Sequence, residues 1–461
     1  MASTAKRLPC RLRNAPWLVR PETQAVFAAL EAEGAKARCV GGALRNWLLG
    51  QKVSDIDIAT TATPDDAAAL AERAGLKVIA TGLSHGTITI LSGGVAHEVT
   101  TLRRDVETDG RHARIAYTTD WKADAGRRDF TINALYCDAA GRLFDPLGGL
   151  DDLLARRLRF IGNAAERIGE DYLRILRFFR FNAQYGPPDN AQIGKAEQSQ
   201  DGNDEQPQGG KQVMRLDREG LSACIKARAG LARLSVERIS SEMFKILAAP
   251  AGLATIQLMY ETGFLPYILG IAPQLSNLRR LAVIEGKLEL PPDPALRLAA
   301  LTIMVHENVA KLARRLRLSK KDTCVLAQAV LVAGDCGGGD RRAWLSAPDN
   351  STARRLLYRL GANAYRQRLL LAWARSGAVP ADLSWPCWAA ALSLAQRWTI
   401  PKCPVSGADV LALGIPPGPA VGEILRRFED WWIDSDFPSD SAVITQRLRN
   451  LAGASPPGQT R

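Results

Sequence analysis

Cys39-Val40-Gly41-Gly42-Ala43-Leu44-Arg45-Asn46-Trp47-Leu48-Leu49-Gly50-Gln51-Lys52-Val53-Ser54-Asp55-Ile56-Asp57-Ile58 joins a glycine turn and an arginine to two carboxylates ten residues further on. Side chains alternate along an extended chain, so Asp55 and Asp57 fall on one side while Ile56 and Ile58 point to the other, into a core. Two hard oxygen ligands then converge. Magnesium prefers such carboxylates together with substrate phosphates, and a pair of ions held this way grips both the attacking and the leaving oxygen of an in-line phosphoryl displacement. Upstream, Ala37–Val40 is a short run ending at Gly41-Gly42, and Ala43–Leu49 has helical composition, which turns backbone N–H groups toward an anion. Arg45, one turn into that helix, is placed to hold phosphate at two points. In this order Gly42, Arg45, Asp55 and Asp57 describe a triphosphate cradle beside a metal site.

Composition bounds the rest. A chain of 461 residues with 46% apolar content can bury several cores, and length alone points to about three domains. The formal charge of +12 suits a polyanionic partner. Eight cysteines are scattered without a C-x-x-C pair and only four histidines are present, which argues against structural zinc and for reduced thiols in a cytoplasmic protein. Lys6, Arg7, Arg11 and Arg13 are followed by no apolar segment, and no uninterrupted apolar run is long enough to span a bilayer. Secretion, membrane spanning and an obligatory protein partner are therefore not expected.

Residues 36–145 mix short β-type runs (Lys77–Ala80, Thr87–Leu91, Ala96–Leu102, Arg114–Thr118, Ala134–Asp138) with helical stretches such as Pro64–Ala74, the mark of an α/β head. Arg104–Arg114 reads as a polar loop without a buried face. From about Leu150 the strand patterns stop, and Leu-, Ala- and Arg-rich helical patterns continue to the end. Residues 186–210 have almost no apolar side chain to offset ordering entropy and read as a disordered surface insertion.

Three further constellations bear on chemistry. Thr81-Gly-Leu-Ser-His85-Gly-Thr turns into a strand, and the next strand carries Glu98, either a third metal carboxylate or an exposed strand residue. His85 reads as a turn or core histidine, since deprotonation of a ribose hydroxyl can be left to a metal. Asp124-Ala-Gly-Arg127-Arg128-Asp129-Phe130-Thr-Ile-Asn133 sets paired arginines ahead of an apolar run, within reach of a nucleotide's phosphates or sugar. In Glu170-Asp171-Tyr-Leu-Arg174-Ile-Leu-Arg177-Phe-Phe-Arg180-Phe181, helical steps of three drift by about 60°, which puts Asp171, Arg174 and Arg177 on one flank. An aspartate accepts from an exocyclic amino group and an arginine donates to a ring nitrogen or carbonyl, so the pair matches the Watson–Crick edge of C and of A. U and G present a carbonyl where the amino group belongs, and an unpaired buried polar group costs about 1–3 kcal/mol.

Gly-Gly-x-x-Arg with Asp-Ile-Asp, then Arg-Arg-Asp-Phe-Thr-Ile-Asn-Ala-Leu, then Glu-Asp-x-Leu-Arg-x-Leu-Arg-x-x-Arg-Phe resemble, in order and spacing, the class II tRNA nucleotidyltransferases of the polymerase-β superfamily. These are the CCA-adding enzymes and their bacterial poly(A) polymerase relatives, and the likeness covers roughly residues 36–250. It implies a polymerase-β-like α/β nucleotidyltransferase head (36–150) after an N-terminal extension and first helix (1–35). A helical neck (151–250) and a tRNA-binding helical body and tail (251–461) then follow. It implies that Asp55 and Asp57 hold Mg2+ and act in catalysis, that Gly42 and Arg45 contact the triphosphate, and that Arg128 contacts the incoming nucleotide. Asp171 and Arg174 would read its base, with Arg177 and Arg180 adding contacts. Residues 235–247 resemble the helix closing the family's neck, and 407–422 its tail.

Two departures stand out: Asn46 occupies a position where the family usually has Asp, and the 186–210 insertion interrupts the neck. The implied activity is addition of C, C and A to tRNA 3′ ends from CTP and ATP without a template. Poly(A) polymerase, a partial C- or A-adding enzyme and a silent RNA-binding scaffold are the alternatives. The Gly-Leu-Ser-His-Gly-Thr turn resembles the CCA-adding version. Lys311, Arg314, Arg315, Arg317, Lys320 and Lys321, with no acid among them, form either an RNA-backbone surface or a solvated helix face. Trp385, Trp388, Trp431 and Trp432 read as core or interface residues.

Overall fold

Helix starts and strand alternation follow local chemistry closely in this chain. In the computed structural model, which describes residues 12–82, 86–109, 112–186, 216–330, 346–378, 382 and 384–453, helices α1 (Pro16–Val19) and α2 (Pro21–Glu31) precede β1 (Ala37–Val40), α3 (Gly42–Leu48) and β2 (Asp57–Thr60). Helix α4 (Pro64–Arg73) begins as its sequence dictates: Thr63 accepts from the Asp66 N–H, proline opens the first turn and two aspartates follow it. Strands β3 (Lys77–Gly82), β4 (Thr87–Ser92), β5 (Val95–Thr101), β6 (Arg103–Asp109) and β7 (His112–Tyr117) come next, then α5 (Trp121–Gly126), β8 (Tyr136–Cys137) and β9 (Leu143–Phe144).

Seven strands form one sheet in the order β3-β4-β5-β2-β1-β8-β9. Strand β2 lies at its centre, antiparallel to β1 and parallel to β5. Its register sets Val40, Asp57 and Glu98 side by side across three strands. Ile56, Ile58, Ile88, Ile90 and Val99 are buried beneath this row, each stabilising the fold by about 1.5–3 kcal/mol. The polar segment read as a loop at Arg104–Arg114 is instead a two-stranded ribbon, β6 paired antiparallel with β7. The β-type run expected at Arg114–Thr118 is the end of β7, and inter-strand backbone bonds extend it into a hairpin whose first strand has no apolar alternation. His85 and the segment 187–215, which includes nearly all of the expected insertion, lie outside the described residues.

Helices take over after β9, and among the described residues no further strand occurs. They are α6 (Gly149–Leu154), α7 (Ala164–Glu170), α8 (Leu173–Tyr185), α9 (Arg218–Lys226), α10 (Val236–Ala248), α11 (Gly252–Glu261) and α12 (Phe264–Leu269). Helix α8 buries Ile175, Leu176, Phe178 and Phe179. Phe178 stacks on Phe160 with centroids 5.6 Å apart, and Phe179 meets Phe264 edge-on at 4.9 Å. At α6 the backbones touch so closely that a Cβ on Gly149 would lie 2.1 Å from the Thr131 carbonyl. The chain divides into two compact units, Met1–Ile268 and Leu269–Arg461.

The described part of the second unit is helical, from α13 (Leu275–Lys287), α14 (Pro294–Thr302), α15 (His306–Leu316) and α16 (Lys320–Gln328) to α17 (Asn350–Ser376), α18 (Trp385–Arg397), α19 (Gly407–Leu411), α20 (Pro419–Asp434) and α21 (Ser441–Gly453). Helix α15 buries Val309, Leu312 and Leu316, while all six expected basic residues between Lys311 and Lys321 are exposed. The tryptophans pack: Trp388 stacks on Trp373, Trp385 meets the same ring edge-on, and Trp432 joins Phe428 in a core cluster that Trp431 packs against. No helix among the described residues is long and apolar enough to cross a membrane.

Candidate active site

The turn after β1 requires glycine. Gly41 has φ +70°, and a Cβ there would lie 3.4 Å from the Asn133 carbonyl and 3.8 Å from Arg128 Nη1. The Gly41 N–H donates to the Leu135 carbonyl at 3.1 Å, and Gly42 opens α3, which carries Arg45 one turn on. Asp57 starts β2, whereas Asp55 lies just before the strand, exposed, accepting from Ser54 Oγ at 2.8 Å. The expected alternation holds, with Ile56 and Ile58 buried behind the two aspartates.

Charge at this point is out of balance. The Asp57 carboxyl is pushed up to about 6, first by burial, then by Glu98 and Asp55 against the opposing pull of Arg128 and Arg45. A carboxylate kept uncomfortable by two like-charged neighbours, all with hard oxygen donors, is a site that a hydrated divalent cation would relieve, so the residues fit a hard divalent ion. Among the described residues no group of three His, Cys, Asp or Glu is close enough to share an ion. Asp55 and Asp57 would be the ligands, completed by substrate phosphates and water.

The arginines are held by residues that sequence reasoning passed over. Asp124, 1% exposed, accepts from Arg127 Nε at 2.8 Å, from Arg128 Nη2 at 3.1 Å and from the Tyr136 hydroxyl at 2.8 Å. Burial alone would raise its pKa, but Arg128 and Arg127 hold it below the usual carboxylate range. The i, i+4 spacing of Asp124 and Arg128 was the available signal. Asp129, also buried, accepts from Arg177 Nε at 2.7 Å and Asn133 Nδ2 at 2.9 Å. Arg180 pairs with Glu242 at 2.7 Å.

Asp171 does not ride on the same helix as Arg174 and Arg177. It interrupts the helical run between α7 and α8 with extended backbone (φ −150°, ψ 106°), and its Oδ1 accepts from the Leu173 N–H at 3.0 Å. Aspartate competes with helix by bonding to nearby backbone, which breaks the run there. Its Oδ2 takes Arg238 Nη2 at 2.6 Å. Arg174 donates to Glu170 at 2.6 Å and to the carbonyls of Arg167 and Arg127 at 2.7 and 3.0 Å. The two residues still flank one helix start, yet each is anchored by partners of its own.

Two family models match, one described as "Poly A polymerase head domain" over residues 37–159 and one as "Probable RNA and SrmB-binding site of polymerase A" over 214–278. The "CCA tRNA nucleotidyltransferase 1, mitochondrial" of Mus musculus is 34% identical over 447 residues, 94% of this chain and 92% of the relative. The chain belongs to the CCA tRNA nucleotidyltransferase family. The human member of that name is 33% identical over 94% of this chain and 92% of its own length. The Bacillus stearothermophilus CCA-adding enzyme, solved in complex with CTP, superposes with a TM-score of 0.67 at 26% identity, covering 94% of this chain and 98% of that one. A class II CCA-adding enzyme of the polymerase-β superfamily thus accounts for the α/β head and the helical remainder alike.

Proposed function

We propose that this nucleotidyltransferase adds C, C and A in turn to tRNA 3′ ends from CTP and ATP, without a template, and releases pyrophosphate. The observation that carries the reading is the meeting of charges at Asp57, paired in register with Glu98 and acted on by Asp55 and by the opposite charges of Arg128 and Arg45, in a chain that matches a CCA tRNA nucleotidyltransferase over 94% of its length. Mg2+, held by Asp55 and Asp57, would supply Lewis-acid polarisation of the phosphoryl oxygens and of the attacking 3′-hydroxyl. Gly42, Arg45 and Arg128 gather the triphosphate and take up the charge that grows on the leaving pyrophosphate.

Nucleotide choice falls to the start of α8. Asp171 accepts from the exocyclic amino group of C or A, and Arg174 donates to the ring edge. Arg177, fixed by Asp129, and Arg180, fixed by Glu242, support that helix and add contacts. The exposed basic run from Lys311 to Lys321 suits the tRNA backbone. All six cysteines among the described residues are free, which supports a reducing compartment, and we place the protein in the cytoplasm.

The deciding experiment offers the purified chain tRNAs ending before CCA, after C and after CC, with each nucleoside triphosphate singly and Mg2+ present. C followed by A on the proper ends supports the reading. A alone on any RNA makes the protein a poly(A) polymerase, A only after CC makes it half of a split system, and no incorporation leaves a silent scaffold.

A further inference from the structure

Tyr136 is fully buried on β8, and register places it in the same row as Val40, Asp57 and Glu98, one residue from each of four neighbouring strands. Its ring is fixed by Trp121, edge-on at 5.4 Å, and by Phe144 at 6.2 Å. The hydroxyl donates to Asp124 Oδ2 at 2.8 Å and accepts from Arg128 Nε at 3.1 Å. A carboxylate can only accept and a guanidinium can only donate, so the one phenolic proton goes to Asp124 and a lone pair is left for Arg128. Burial first, and Asp124 with it, push the phenol's pKa well up against the pull of Arg128, which keeps that proton in place.

Arg128 is thereby held along one edge. Nε bonds Tyr136 and, at 3.4 Å, Asp124 Oδ2, while Nη2 bonds the same carboxylate oxygen at 3.1 Å. The other oxygen of Asp124 belongs to Arg127. Nη1, outside that edge, lies 3.8 Å from where a Cβ on Gly41 would stand, and the charge of Arg128 is felt at Asp57. Without the hydroxyl the fork would rest on a single oxygen, about which it can swing. Arg45 is held separately, bonded to Asn46 and Asn133 and beside the rings of Phe181 and Tyr185.

We infer that Tyr136 is a positioning residue for nucleotide binding: its hydroxyl locks the Nε edge of Arg128 and keeps Nη1 turned to the glycine turn, where the triphosphate is received. This rests on the functional reading above. It assigns the second point of support for Arg128 to the strand beside β1, so that the cation and the metal-binding aspartate are placed by one sheet.

The test measures binding and turnover of CTP and ATP by the full chain with Mg2+, and thermal melts confirm the fold. Tyr136→Phe keeps the ring against Trp121 and deletes only the hydroxyl. It weakens both nucleotides by about fivefold, raising KM while kcat stays within about twofold. In the Arg128→Ala background the same substitution has no further effect on KM, since the group it positions is gone. A tyrosine that only fills the core lowers the melting temperature and leaves KM in place. That result overturns the inference, as does an undiminished loss in the Arg128→Ala background. Should Tyr136→Phe fail to fold, arginine side-chain NMR spectra of the parent decide: the Arg128 Nε–H signal, assigned through Arg128→Ala, is present without nucleotide and stays in place when CTP binds. A signal that emerges only with nucleotide overturns the inference. A parent chain that binds neither CTP nor ATP defeats the functional reading itself, whereas a parent that binds both and a Phe variant that binds equally well defeat this inference alone.

Discussion

Arg238 Nη2 lies 2.6 Å from Asp171 Oδ2, so the carboxylate assigned to the base is already clamped from α10 before any nucleotide arrives. With one oxygen on the Leu173 N–H at the start of α8 and the other on Arg238, Asp171 is held in a set direction. Arg238→Ala is expected to lower discrimination of C and A against U and G by about tenfold, read from competing incorporation of the four nucleotides. Unchanged selectivity would remove Asp171 from the reading surface. Arg174→Ala should blur choice too, and lower the melting temperature as well, because its Nη groups also bind the carbonyls of Arg127 and Arg167.

Asp124→Asn tests the anchor of the paired arginines. The buried carboxylate serves Arg127, Arg128 and Tyr136 at once, and its loss strands two cations. Destabilisation of about 3–5 kcal/mol, measured by denaturant unfolding, is the expected cost, together with a raised KM for nucleotide.

Gly41→Ala places a side chain in the left-handed region at φ +70°. A strain of about 1–2 kcal/mol is expected. Since Arg128 and the Asn133 carbonyl are the nearest atoms, kcat/KM should fall further than stability does, and equal losses in the two would show that the turn only holds the fold together.

Stability against pH has two opposed contributors. His97 is fully buried, 3.0 Å from Thr23 Oγ1, and burial with Arg20 nearby depresses its pKa below 6.5. The unfolded chain therefore binds the proton more readily, and this part of stability is lost as pH falls below about 6.5. Asp57 works the other way: raised to about 6 from 3.8, it contributes fully below pH 3.8 and loses that contribution as pH rises through 6. Melting curves of the metal-free chain from pH 4 to 8 should steepen at the acid end for Asp57→Asn and flatten there for His97→Gln. If neither substitution alters the profile, the two groups are not linked to folding as stated. Mg2+ at pH 7.5 should raise the melting temperature of the parent and not that of Asp57→Asn.

The strands around Asp57 were legible because a period of two is visible in four or five residues, and the Ile-Asp-Ile alternation leaves one orientation. The helical run from Glu170 to Phe181 was read as unbroken because apolar spacing continues across Asp171, and only its bond to the Leu173 amide reveals the interruption. In the β6–β7 ribbon only the run at Arg114–Thr118 carried a strand pattern, and it matches the end of β7, while β6 read as loop. What the sequence hid most thoroughly were partners supplied from afar: Asn133 lies 88 positions from Arg45, Arg238 67 from Asp171. Such pairs exist only once the sheet and the helices have met.

The bond from Tyr185 to Asn46 spans 139 positions. A fragment that stops short of α8 would lack Phe181 and Tyr185, the two rings beside the Arg45 guanidinium, and leave that arginine without its aromatic neighbours.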